Sequence, residues 1–423
     1  MTRRVFLHYL TVGVANMIGS AGNTRCLSYT DGEFLDELER SAFHYFVEQT
    51  NPRNGLVRDR DRPDAPASIA ATGFGLVAWS IAAARKWVSA DAALDVILAA
   101  LRFFAHEAEQ VHGFFYHFLD FRTGERYQEK WKSELSSVDT AWLLAGVLVV
   151  KEAFSSHPQI QKLAKQIEER VDWRWMCDGQ LTLTMGWTPE EGFLPARWDK
   201  YAEHMFMYLI GLGSPTFSLP KESWDAWERN WTEYKGYRYL DCPPLFTHQY
   251  SHAFVDFRKW RDRYADYWES AVQATLANRQ FCIDHADRFK SYGSNSWGLT
   301  ACDGPDGYRA YGAKEGWHDG TVAPCAAAGS LPFAPQECIA ALRFFRERFS
   351  KRLWGRYGFR DAFNLDRNWW ATDTLGIDQG ITLIMIENLR SGRVWRWMAS
   401  DSTLQRGLKR AHFFSRTPHA NRA

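Results

Sequence analysis

An all-α fold is predicted: one domain built as a toroid of helical hairpins. Three observations predict it. Apolar residues recur at helical spacing over almost the whole of the 423 residues. Stretches that are apolar nearly all round alternate with stretches apolar on one side, as an inner and an outer ring of helices would require. Strand signals are short and confined to connections, as at Gln180–Met185.

Taken in order, Phe34, Leu38, Ala42, Tyr45 and Phe46 form the first apolar stripe. Ile69–Val88 is apolar nearly all round and is predicted to be buried. Ala92–His106 follows, with Ser89 placed to cap it. Val138–Phe154 and Ile160–Val171 come next. Further helices are predicted at Tyr201–Leu212, Glu222–Tyr234, Trp260–His285, Pro335–Phe349 and Gln379–Asn388. Long connections rich in Gly, Pro and aromatics join them, at 51–67, 186–197, 293–319 and 355–376. Loops of that length inside a compact domain are usually functional. No linker rich in Ser, Gly or Pro divides the chain, so a single domain is expected over 30–410, with 411–423 as a tail.

The N-terminus carries Thr2-Arg3-Arg4-Val5-Phe6-Leu7, a twin-arginine pattern. A moderately apolar stretch, Tyr9–Ile18, and the small residues Gly19, Ser20, Ala21 and Gly22 follow it. Residues 1–25 therefore read as an export signal, and the expected compartment is the periplasm. The apolar run is too short to span a bilayer, so no integral membrane segment is expected. A net charge of +1 argues against a polyanion-binding surface, so no nucleic-acid partner is expected. The seven cysteines (Cys26, Cys177, Cys242, Cys282, Cys302, Cys325, Cys338) show no CxxC pair and no Cys/His cluster at zinc spacing. Mostly buried free thiols are expected, with no metal and no cofactor.

Twenty Trp residues are available for a core or for a sugar cleft, because indole offers a wide apolar face and one N–H donor. Gly113–Trp142 sets Asp120, Glu134 and Asp139 among Phe, Tyr and Trp, just ahead of a long apolar helix. Asp139 follows Ser136 in a capping-box pattern, Glu203 precedes Met205–Leu212, and Asp378 precedes Ile381–Ile386. Taken alone, each acid is explained as a cap or first-turn residue. Taken together they point elsewhere. In a toroid the N-terminal ends of the inner helices converge on one face, so these acids would meet in one cleft. Two carboxyls facing across a sugar are the minimum for glycoside hydrolysis. A helix N-terminus lowers a carboxyl pKa, which suits a base. Asp378 and Asp139 are therefore the expected bases, and Glu203, deeper into its helix, the expected acid.

The matching motifs are GLVRDR (Gly55–Arg60), ASIAATGFGL (Ala67–Leu76), GFFYHFLD with TGER (Gly113–Arg126) and SELSSVDTAWLLAGVL (Ser133–Leu148). They continue with WDKYAEHMFMYLIGLGSP (Trp198–Pro215), PLFTHQYSHAFVDFR (Pro244–Arg258), WGLTACDGPDGY (Trp297–Tyr308), DGTVAP (Asp319–Pro324) and YGFRDAFN (Tyr357–Asn364). A chain carrying them in this order resembles the glycoamylase-like proteins that include the endo-β-1,2-glucanases of glycoside hydrolase family 144. The resemblance implies six hairpins, an (α/α)6 barrel, in an exported enzyme that cleaves β-1,2-linked glucan by inversion and without a metal; a monomer is expected. It implies Glu203 as the principal acid, with Asp139 and Asp378 in the same cleft and Glu134 beside them. His117, Trp198, Tyr201, His252, Trp297 and Trp370 are expected to bind the oligosaccharide, a role that competes with packing for each of them.

The family also holds exo-acting and transglycosylating members, so the outcome of cleavage stays open at this point. Two other readings stand beside it. His248-Gln249-Tyr250-Ser251-His252 offers Tyr and His for the proton abstraction of a polysaccharide lyase, against the plainer reading of hydrogen-bonded histidines at a helix start. A non-catalytic glucan-binding protein is the third.

Overall fold

Helices dominate the computed structural model, which describes residues 29–416. The twin-arginine segment and Cys26 lie outside the described residues. The helices are α1 (Tyr29–Glu48), α2 (Ile69–Ala84), α3 (Ala90–His106), α4 (Ser137–Ala153), α5 (Pro158–Glu169), α6 (Met205–Gly213) and α7 (Tyr250–Phe254). They continue with α8 (Tyr267–Asp284), α9 (Pro324–Gly329), α10 (Pro335–Leu353), α11 (Gly376–Ser391), α12 (Arg393–Ser400) and α13 (Ser402–Arg410). Strands are two to four residues long and form sheets of two or three strands.

The predicted alternation is present. Almost every residue of α2, α4, α6 and α11 is buried, whereas α3, α5, α12 and α13 bury one face. α2 packs on α1, α4 and α11, and α4 packs on α5 and α6. α6 meets α7 and α13, and α11 meets α7 and α9. The starts follow from capping chemistry. Ser68, Ser89 and Ser136 accept from the backbone N–H of Ala71, Ala92 and Asp139, and Asp266 and Asp401 do the same for α8 and α13.

Backbone meets backbone where α2 crosses α4. A Cβ on Gly73 would lie 2.2 Å from the Trp142 carbonyl oxygen, and one on Gly146 would lie 2.2 Å from that of Gly73. Both glycines are required by this approach, since any side chain would force the helices apart.

Several predicted elements differ. Glu222–Tyr234 is not a helix: a short 3-10 turn covers Lys221–Trp224, and Trp231–Tyr234 pairs with Tyr237–Leu240. Lys235 and Gly236 both have φ > 0, the conformation of a tight hairpin turn, and burial alternates along Trp231–Tyr234 as it does in a strand. Trp260–Arg261 is a strand, and α8 begins only at Tyr267. Gln180–Met185 is not a strand; Gly186–Thr188 pairs with Leu135–Ser136 instead. The expected tail is docked as far as the structure describes it. Phe414–Ser415 pairs with Trp260–Arg261, and Phe413 packs on Trp224, Phe257 and Tyr267. Among the described residues the six cysteines are free, and no helix is long and apolar enough to cross a membrane.

Candidate active site

The starts of the buried helices are stitched together by hydrogen bonds. The Gly376 N–H of α11 donates to the Asp59 carbonyl at 2.8 Å, in the loop that leads into α2. Ala67–Ser68, just before α2, pairs with Phe118–Leu119, and Leu135–Ser136 leads into α4. The Trp198 indole N–H donates to Ser137 Oγ at 2.9 Å, holding the segment before α6 against the start of α4. The Ser251 hydroxyl donates to the Glu203 carbonyl at 2.5 Å and accepts from the Phe206 N–H, joining α7 to α6. Gln249 reaches the Ala326 carbonyl and Ser330, joining α7 to α9. Acids placed at these starts are therefore drawn toward one another.

Two groups of carboxyls result. In the first, His117 stands between two acids, with Nδ1 at 2.9 Å from Glu134 Oε1 and Nε2 at 3.5 Å from Asp139 Oδ1. Its ring stacks on Phe118. Burial opposes a charge on this imidazole, but Asp139 and Glu134 overcome it and hold the pKa at about 9. Burial likewise opposes ionisation of Glu134, yet the His117 cation keeps its carboxyl below the usual range. Asp139 also takes the Ser136 hydroxyl at 2.5 Å. Glu203 lies in the turn before α6 rather than inside the helix, a correction to the sequence reading that follows from His204 being the cap. The residue is partly exposed, but its carboxyl is enclosed. Burial first, and then the Asp139 charge, push it up to about 8 against the pull of His117.

The second group gathers around Asp378. Burial raises its carboxyl to about 7; Asp303 and Asp59 add to the rise, while hydrogen bonds with Cys325 and Asp361 oppose it. Burial and then Asp378 push Asp361 well above the carboxylate range, as for two acids sharing one proton. The Asp303 N–H donates to Asp361 Oδ2 at 2.8 Å. Arg60 bridges Asp303 at 2.8 Å and Asp373 at 3.2 Å. The expectation that the helix start lowers the Asp378 pKa is thus reversed, because burial and neighbouring acids outweigh the helix dipole. Tyr250 and Tyr308 lie within the fields of both Glu203 and Asp378.

Of the residues expected to bind sugar, His117 stands among these acids. Trp198, Tyr201, His252 and Trp297 are buried in the core instead. Tyr201 donates to His248 Nδ1, and the His252 Nε2–H donates to the Tyr267 carbonyl at 3.1 Å. Trp370 is half-buried, stacked on Phe363 and edge-on to Phe349. Asp120 is a turn residue that accepts from the Arg122 and Thr123 N–H groups. His248 is also fixed, its Nε2–H donating to the Cys242 carbonyl, and burial depresses its pKa to about 4. Both histidines of the HQYSH segment are thus buried and tied to backbone carbonyls, the plainer reading of that segment. Sequence reasoning did not single out Asp59, Arg60, Asp303, Tyr308 or Asp361. Each nevertheless sits inside a quoted motif: GLVRDR, WGLTACDGPDGY or YGFRDAFN.

Carboxyls whose proton affinity is raised, beside another whose affinity is lowered, suit acid–base chemistry. The chain belongs to the glycoamylase family. Residues 195–402 match the family model described as "Putative glucoamylase". A protein of that same description from Bacteroides uniformis is 33% identical, with 93% of this chain and 99% of that one covered at a TM-score of 0.86. An endo-β-1,2-glucanase from Chitinophaga pinensis, in complex with sophorotriose and glucose, is 28% identical, with 91% and 99% covered at a TM-score of 0.85. An exo β-1,2-glucooligosaccharide sophorohydrolase (non-reducing end) from Parabacteroides distasonis is 28% identical over 90% of this chain, which spans 58% of that protein's length.

Proposed function

We propose that this chain is a glycoside hydrolase that cleaves β-1,2-linked glucan and sophoro-oligosaccharides by an inverting acid/base mechanism. The observation that carries the chemistry is the Glu203 carboxyl, raised to about 8 beside Asp139 and therefore protonated at neutral pH. Glu203 donates its proton to the glycosidic oxygen as the bond breaks. Asp139, held by Ser136 and His117, takes a proton from the water that attacks the opposite face of the sugar. Asp378, sharing a proton with Asp361, serves to hold sugar hydroxyls. The linkage rests on the printed activities of the relatives from Chitinophaga pinensis and Parabacteroides distasonis. Trp131, exposed and edge-on to Phe118, and the exposed Tyr308 are the stacking faces of the cleft.

The finer architecture in this reading is an (α/α)6 toroid with α2, α4, α6, α7, α9 and α11 inside. The packing of α2 on α4, α4 on α6, α6 on α7, α9 on α11 and α11 on α2 supports it. Export by the twin-arginine pattern at Thr2–Leu7 belongs to the same reading, since a polymeric glucan is met outside the cytoplasm.

The test is a panel of β-1,2-, β-1,3-, β-1,4- and α-linked glucans with product analysis, followed by NMR of the first-formed anomer. New reducing ends from the β-1,2 polymer alone, released as the α-anomer, are expected. Release of the β-anomer would replace inversion by retention, and no products from the β-1,2 polymer would sink the substrate assignment. A ladder of products marks internal cleavage, and a single disaccharide marks cleavage from an end.

A further inference from the structure

Away from the carboxyl groups, three side chains converge where the loop before α9 returns to the end of α8. His285 is the first residue past α8, and its Nδ1 lies 2.8 Å from the Phe281 carbonyl oxygen. A carbonyl only accepts, so Nδ1 carries the proton and the lone pair of the neutral ring sits on Nε2. That Nε2 lies 3.1 Å from Glu315 Oε1. Two acceptors do not rest at that distance unless a proton or a cation lies between them.

The other Glu315 oxygen lies 3.7 Å from His318 Nε2. His318 Nδ1 is 3.3 Å from the Tyr292 hydroxyl, which accepts from the Gly320 N–H at 3.1 Å. Phe281 and Phe289 flank the His318 ring. One ligand atom from each of the three residues lies within 4.8 Å of the others.

We propose that His285, Glu315 and His318 form a binding site for a divalent ion of the zinc class, which fastens the 303–320 loop to the end of α8. Two imidazole nitrogens with one carboxylate select zinc, cobalt or nickel over calcium and magnesium, which prefer oxygen alone. Each imidazole is backed on its far side by a fixed partner, a carbonyl for His285 and a phenol for His318, which is the support that metal-ligating histidines need. The imidazole side chains are 12% and 3% exposed and the carboxylate is 70% exposed, so the nitrogens are fixed and an entry path stays open.

A proton alone is the competing account, with His285 charged and Arg288 adding its own charge 3.9 Å from Glu315. It leaves His318 Nε2 at 3.7 Å from Glu315, beyond a hydrogen bond and with nothing between them. The sequence expectation of no metal rested on spacing, and a Glu-x-x-His pair whose partner lies thirty residues upstream has no such signature. The same loop carries Asp303 and Tyr308 to the cleft, so occupancy steadies one of its walls.

The test is titration of the full chain, stripped with EDTA, with zinc chloride at pH 7.5 by calorimetry, alongside cobalt chloride read by visible absorption. One equivalent of zinc is expected to bind. Glu315→Gln and His318→Ala should each weaken binding by about tenfold or more. Cobalt should give an intense tetrahedral band in the wild type that His285→Ala loses. Glu315→Gln changes a surface carboxylate and keeps the fold, so its loss of zinc-induced thermal stabilisation reports the site itself. Absence of saturable binding, or binding unchanged in Glu315→Gln and His318→Ala, would overturn the proposal.

Discussion

Glu203→Gln separates two consequences of one buried carboxyl. The group's ordinary pKa of 4.5 rises to about 8 in the fold. The folded state therefore keeps a proton that the unfolded chain releases above its own pKa. Stability is full below about pH 4.5, falls as pH climbs, and stays reduced above pH 8. A pKa unit corresponds to about 1.4 kcal/mol, and partial exposure screens the charge, so a few kcal/mol is the upper bound. Glutamine cannot ionise and escapes this loss. In urea unfolding the variant should match the wild type near pH 4.5 and become progressively more stable than it toward pH 8–9. Its activity on β-1,2-glucan should fall by roughly 10²–10⁴ at neutral pH, the usual contribution of a general acid. Wild-type activity should itself decline above about pH 8 as the donor is lost. A stability difference that stays flat with pH would refute the burial argument, and full activity in the variant would refute the donor role.

Four further outcomes follow from the same structure. His117, raised from 6.5 to about 9, contributes stability that is full below pH 6.5 and lost as pH rises through 9. His117→Asn should therefore lower the urea midpoint at pH 6, with the gap closing above pH 9. Gly146→Ala should cost about 1–3 kcal/mol or more, measured by denaturant unfolding, because its Cβ meets the backbone of α2 at 2.2 Å. Trp131→Ala should raise KM by roughly three- to tenfold with kcat unchanged, the loss of one stacking face worth about 1 kcal/mol. Trp297→Phe should lower the thermal midpoint and leave KM alone, since this indole is fully buried.

The helical scaffold was legible because burial writes itself into periodicity. The all-round apolar runs at α2, α4 and α6 and the Ser89 cap are visible without a structure. Glu222–Tyr234 misled because Trp224, Trp227, Trp231 and Tyr234 fall at helical spacing, and the deciding feature was the Lys235–Gly236 turn rather than the run itself. Acids at helix starts were legible by position: Asp139 and Glu203 lie within the influence of His117, as does Glu134, and Asp378 sits in the second carboxyl group. Their proton affinities were not, since these depend on burial and on charges far away in sequence, such as Asp303 beside Asp378. Aromatic binders were the least legible. Trp198 and Trp297 carry the motif context of a sugar site, yet composition cannot distinguish a ring that packs, as these do, from one that is presented, as Trp131 and Tyr308 are.

The covering of α2 has a consequence for how the chain is made. α2 and α4 are apolar on every side, but α11, which packs along α2, begins only at Gly376. α6 depends in turn on α13, where Gly213 and Gly407 allow the backbones to touch. During synthesis the first two greasy helices emerge long before their last partners exist. The nascent chain therefore passes through a long interval with sticky surface exposed, and closure is an end-to-end event that awaits the final helices. Truncation anywhere before α13 removes a wall of the core rather than an ornament, and such fragments should aggregate rather than fold into a smaller version of the molecule.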